Sequence, residues 1–239
     1  VYQANNQPDK MVAELIFVLT FGDRYLEGVK NALSTYLSQD QLGVKRKRVK
    51  TQLIKSVQKN NKEKSFLELL VWLYSEEHSY DRALVYAKSL DKRFGEDGRR
   101  IIKIARLAKK NSDYEASQQA YDYVIENKKE SYYYRLARVE VVNVLKKKIE
   151  SNPVKSSDDI AALEQVYLTT LEDVGKNSYS IKLMRSYASL LAFQQNRTQE
   201  ALALITQAAS LQGISPIEKA KCRLLLGDVY VYEDDIWEA

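Results

Sequence analysis

Few side chains in this chain of 239 residues are equipped for chemistry, and their spacing narrows the choice further. The single histidine, His78, follows Glu76 and Glu77, and the single cysteine is Cys222. Structural zinc takes four Cys or His ligands, so a Cys/His zinc site is excluded, as is any disulfide framework within the chain. No nucleophile stands near a plausible base, no glycine-rich loop is spaced to cradle phosphate, and the paired acids Asp234 and Asp235 fall at an expected turn. His78, at an expected helix end, reads as a cation favoured by the helix dipole. These residues imply no enzyme, no cofactor and no metal.

Charge is the chemistry that remains. From Gln41 to Lys64 there are nine basic residues and one acid, Glu63, whereas Asp228 to Ala239 holds five acids and no base. Six basic residues and no acid lie between Arg99 and Lys110. The KRKRVK run at 45–50 has the composition of a phosphate-backbone binder. However, Leu42, Val49, Leu53 and Val57 give it an apolar stripe, so its charges read as a solvated helix face.

The elements that must position these groups are helices. With only 8 Gly and 3 Pro, the chain lacks the turn residues that sandwiches, barrels and doubly wound sheets require. Periodicity near 3.6 residues gives twelve helices, near 8–21, 23–38, 41–59, 62–77, 80–94, 97–110, 113–127, 130–150, 156–174, 178–194, 197–211 and 216–233. Gly95, Pro153, Gly175, Gly213 and Pro216 fall between them, where caps and turns belong. The longest uncharged stretch, Ala201 to Ile217, contains Gln, Thr, Ser, Gly and Pro, so no membrane span is expected.

Helix pairs at a fixed interval call for a repeat test. Val71 and Ala105, Tyr80 and Tyr114, and Ala83 and Ser117 are each 34 residues apart. Near the end, Leu226-Gly227 is followed by Tyr230 and Ala239. This pattern resembles the tetratricopeptide signature, in which small residues sit where two helices cross closely. Ser189, Ala192 and Ala201 make another copy, helices 130–150 and 156–174 a divergent pair with Ala162 at the crossing, and Ile16, Leu19, Gly28 and Ala32 a degenerate N-terminal pair. The 55 residues from Gly28 to Ala83 leave room for one inserted helix at 41–59. The expected organisation is therefore 1–61, degenerate N-terminal helices with that insertion, followed by 62–239, a tetratricopeptide-like array.

The resemblance implies an all-α fold, an alpha-alpha superhelix or solenoid of antiparallel helix pairs, and a non-catalytic scaffold that holds a peptide in its concave groove. In that register Arg99, Arg106, Lys109 and Lys110 line the groove and imply an acidic partner. Trp72 and Phe193 are groove aromatics, with Glu68, Leu190 and Gln194 beside them. The family's carboxylate clamp is not matched, because Glu68 and Trp72 stand where Lys and Asn belong. Two other classes stay open: a nucleic-acid binder using helices 41–64 and 99–110, and a regulatory segment of a larger enzyme. The chain is also similar to long tetratricopeptide proteins of the Bacteroidota, often exported, which implies the cell envelope or periplasm. Because the last repeat stops at Ala239, a piece of a longer array is expected, with Leu225, Leu226 and Tyr230 partly uncovered on a face that favours self-association.

Overall fold

The computed structural model describes residues 7–153, 156–235 and 237. Ala239, assigned above to a helix crossing, lies outside them. The described residues form twelve α-helices: α1 Pro8–Val18, α2 Leu26–Leu37, α3 Val44–Lys59, α4 Lys64–Glu76, α5 Tyr80–Phe94, α6 Arg99–Lys110, α7 Tyr114–Asn127, α8 Tyr133–Ser151, α9 Ser157–Val174, α10 Ile181–Gln195, α11 Thr198–Ser210 and α12 Pro216–Tyr232. Two short 3-10 turns, Leu19–Phe21 and Asp23–Tyr25, join α1 to α2. The chain divides into two compact units, Val1–Tyr133 and Tyr134–Ala239.

Local chemistry starts and stops these helices. Asp113 accepts from the Ala116 amide at 3.0 Å. Ser156 and Asp159 form a reciprocal capping box at the start of α9, and Ser215 caps α12 with Pro216 in its first turn. The corners of the pairs α4–α5, α6–α7 and α10–α11 use a left-handed residue other than glycine, His78, Ser112 and Asn196, and Asp234 follows α12 in the same way, all four with φ between 56° and 62°. After three of them the next amide bonds back to the last turn at 2.9 Å, Ser79 to Tyr74, Asp113 to Ala108 and Asp235 to Tyr230. This is the Schellman arrangement, which satisfies carbonyls that the helix leaves open.

In the first unit, α4 packs on α5 and α6 on α7 as close antiparallel pairs. The small residues permit this: Ala83, Ala105 and Ser117 are buried, and the Ser117 hydroxyl donates to the Ala105 carbonyl of the facing helix at 2.8 Å. A larger side chain would hold the axes apart. Leu69, Leu70, Leu90, Ile101 and Tyr121 fill the core around these crossings. Asp91 on α5 is buried among them. It accepts from the Gly98 amide at 2.7 Å and the Tyr123 hydroxyl at 2.9 Å, and pairs with Lys128 at 2.8 Å. Gly98 is required here, since its φ is 79° and a Cβ would meet Val124 at 3.3 Å.

The N-terminal helices pack differently. α3 lies against α1 and α4 more than against α2, and no small residue marks a crossing there. Gly28 and Ala32 are exposed, contrary to the degenerate pair expected from them. α2 instead buries Leu26, Val29, Leu33, Tyr36 and Leu37, because a stripe of large side chains removes more apolar area from water than two small ones.

In the second unit α10 and α11 form the close pair, with Ala201 buried at the crossing, and α12 packs on both. α8 and α9 are tied near one end by the Tyr134 hydroxyl and Arg138, which reach Asp173 at 2.7 and 2.8 Å. Ala162 is exposed on α9, so it marks no crossing. Leu163, Tyr167, Thr170, Leu171 and Val174 turn inward instead. On α12, Cys222, Leu225 and Val229 are buried. Leu225 is therefore core rather than uncovered, and the open apolar side chains of this helix are Ile217, Leu224, Val231 and Tyr232.

Candidate peptide-binding surfaces

α6 is the most one-sided helix of the first unit. Ile101, Ile102, Ile104, Ala105 and Ala108 are buried, while Arg99, Lys103, Arg106 and Lys110 are exposed on the other side. Among the described residues none of these four cations has an ion-pair partner. Lys109 is half-buried, set back from that row. Trp72 is half-buried on α4 at the register position that Arg106 takes on α6, six residues before the left-handed corner.

Glu68, the other α4 groove residue, is not available to a ligand. Its carboxylate receives Arg100 at 2.5 Å, and Lys64 stands 3.5 Å from it. Arg100 also grips Glu96 with two N–H groups, at 2.7 and 2.8 Å, and Lys64 completes the network at 3.0 Å from Glu96. Burial alone would raise the Glu96 carboxyl, but hydrogen bonds from Arg100 and Lys64 hold it down at about 2. Arg100 thus works inside the fold, and its α6 neighbours face solvent.

The second unit has a cleft of about 490 Å³ between α8, α10 and α12. Lys146, Lys182, Arg185 and Lys221 line it, with Ser186, Ser189 and Asp228. Arg185 and Lys221 share Glu218 at 2.5 and 3.2 Å. The Arg185 hydrogen bond holds that carboxyl below its ordinary value, against the opposing effect of burial. Lys146 donates to the Ser186 hydroxyl at 3.1 Å, and Lys182 is exposed without an ion-pair partner among the described residues. Phe193 lies on α10, 38% exposed, its ring edge-on to Tyr232 of α12 at 5.4 Å. Leu190 is buried and Gln194 exposed beside a narrower cleft that shares Lys146 and Ser189.

Sequence reasoning did not find Lys146, Lys182, Arg185 and Lys221. The signal was present in the corners: Lys221 stands thirteen residues before Asp234, as Arg99 stands thirteen before Ser112. Lys146 and Lys221 each have an acid within one helical turn, Glu150 and Glu218, and Lys182 and Arg185 lie on a different helix from both, so composition along the chain does not mark the four as a group. Cys222 behind this cleft is buried, and burial pushes its thiol up. Among the described residues no cluster of His, Cys, Asp and Glu is arranged to hold a metal ion, and no helix is long and apolar enough to cross a membrane.

Comparison with solved structures bears on the fold. The crystal structure of yeast Tom70 superposes with a TM-score of 0.50 at 16% identity, covering 93% of this chain and 47% of that one. BtubC from P. vanneervenii gives 0.51 at 15% identity, covering 94% and 86%. The fold is tetratricopeptide-like. A tetratricopeptide repeat protein from Parabacteroides merdae also matches, at a TM-score of 0.39 and 14% identity over 98% of this chain and 83% of that one. The chain spans about half the length of the Tom70 structure it matches. No protein-family model and no curated protein sequence matches it.

Proposed function

We propose that this tetratricopeptide-like chain is a non-catalytic scaffold for protein interaction, and that the first helices of its pairs hold an acidic segment of the partner. The observation that carries this reading is the row Arg99, Lys103, Arg106 and Lys110, exposed on α6 with no ion-pair partner among the described residues. Cations left unanswered within the fold are available to a ligand's carboxylates and steer its approach. Trp72, at the matching register position on α4, offers an anchor of the type that dominates peptide interfaces. In the second unit the cleft with Lys182, and Phe193 on the same helix, repeats that combination.

The test is calorimetric titration of an acidic peptide, a glutamate decamer with one central tryptophan, into the chain and into its Arg106→Glu, Lys110→Glu variant. Binding to the variant should be weaker by roughly fivefold or more. Equal affinity, with the helical spectrum intact, rejects the α6 surface. The same row favours one second reading, a nucleic-acid backbone on α6. It predicts that a single-stranded oligonucleotide binds with an affinity falling steeply between about 50 and about 200 mM salt.

A further inference from the structure

A groove outside these first-helix surfaces lies between α1 and α3, with a volume of about 500 Å³. The two helices run in the same direction. Asp9, in the first turn of α1, meets Arg48 at 2.8 Å, while Thr20, past the end of α1, lines the groove with Lys59 and Asn60. Ile16 and Phe66, both buried, form its floor. One wall carries Phe17, which is 56% exposed and packs edge-on against Phe21 at 5.2 Å. Phe21 is itself 59% exposed. Two neighbouring phenylalanines left this open form an apolar patch that the fold does not cover.

The opposite wall carries Lys55 and Lys59, one helical turn apart. Most of the basic run around them is answered inside the unit. Lys45 lies over the Tyr36 ring, and Arg46 pairs with Asp40 and Glu77. Arg48 pairs with Asp9, Lys50 with Glu77, and Lys64 with Glu68 and Glu96. Lys55 and Lys59 have no ion-pair partner among the described residues, and both border the groove.

From this juxtaposition we infer that the α1–α3 groove docks an acidic segment of another protein that carries an aromatic or large aliphatic anchor. The anchor lies on Ile16 and Phe66 against the Phe17 ring, and the flanking carboxylates meet Lys55 and Lys59. Each half of this ligand answers a feature the unit leaves open: apolar area on one wall, positive charge on the other. Exposed rings beside lysines also suit single-stranded nucleic acid. Glu14, however, lines the α1 side of the same groove: a peptide can keep its carboxylates on the lysine wall and turn uncharged residues toward Glu14, whereas a backbone with a phosphate at every nucleotide cannot, which favours the peptide.

A random twelve-residue peptide library displayed on phage, selected on the whole chain, tests the proposal. The selected sequences should combine a Trp, Phe, Leu or Ile anchor with two or more neighbouring Asp or Glu. Synthesised and titrated, they should lose roughly tenfold or more in affinity to Phe17→Ala and to Lys55→Glu, Lys59→Glu. All three altered side chains are exposed, so an unchanged helical spectrum and melting temperature confirm that the fold is intact. Arg106→Glu, Lys110→Glu should leave these affinities unchanged, which separates this surface from the one on α6. The proposal is overturned if no selected peptide depends on Phe17 and Lys55, if the binders lack acidic residues, or if a thymidine oligonucleotide displaces them.

Discussion

His78, Ser112, Asn196 and Asp234 set the register of the chain more sharply than its small residues do. Each adopts φ near +60°, a conformation that costs an L-residue about 1–2 kcal/mol and that glycine adopts freely. Ala83, Ser117 and Ala201 follow the first three at a constant five-residue interval and are buried. The corner therefore fixes which face of the second helix turns inward. At Ser112 the side chain is exposed and gives up nothing on replacement. Ser112→Gly should raise stability by about 0.5–1 kcal/mol, whereas Ser112→Val should lower it; chemical denaturation of both variants decides. Sequence reading placed His78 at a helix end for its charge, but its backbone is the feature the fold uses. Its ring stacks on Tyr80 with centroids 5.9 Å apart.

Between helices, the network of Lys64, Glu68, Glu96 and Arg100 joins the start of α4 to the start of α6. Glu96 is held at about 2, against an ordinary value of 4.5. A carboxylate with a depressed folded pKa adds stability that is fully present above the unfolded value and is lost as pH falls through the folded one. The difference in melting temperature between the wild type and Glu96→Gln should therefore be constant above about pH 4.5 and shrink toward about pH 2. A difference that does not change over that window rules the pairing out as a source of stability.

The helices themselves were legible because their ends carry Gly, Pro or Ser signals. Gly95 closes α5, Gly175 closes α9 and Pro216 opens α12, each where the periodicity stops. Crossings were legible only where a small residue had no larger competitor on its face. At Ala83 and Ser117 it had none; at Ala162, Leu163 and Tyr167 took the buried positions. The α6 row was legible for the same reason that its helix is so strongly two-faced. The α1–α3 groove was not, because Phe17 and Lys55 are 38 residues apart in sequence and no periodicity connects them.

Across the molecule, each close pair builds its own core around its own crossing, and stability is then a sum of local terms and nearest-neighbour interfaces. Damage should stay local. Ala201→Leu overfills the α10–α11 crossing and should cost about 1–3 kcal/mol. Hydrogen exchange should show protection lost across α10, α11 and α12 while α4 to α7 keep theirs. Loss spread evenly over both units would show that they unfold as one.

The lone thiol on α12 makes such local events countable. Cys222 is fully buried, and that burial pushes its thiol up, which disfavours the reactive thiolate. A thiol reagent can therefore modify it only in the moments when α12 lifts off α10 and α11. With no second cysteine to compete, the labelling rate of the unmodified chain is a stopwatch for the detachment of one helix. A ligand seated in the cleft of Lys182 and Lys221 would slow that stopwatch in proportion to how much it holds α12 down, while one bound on α6 or between α1 and α3 would leave it running.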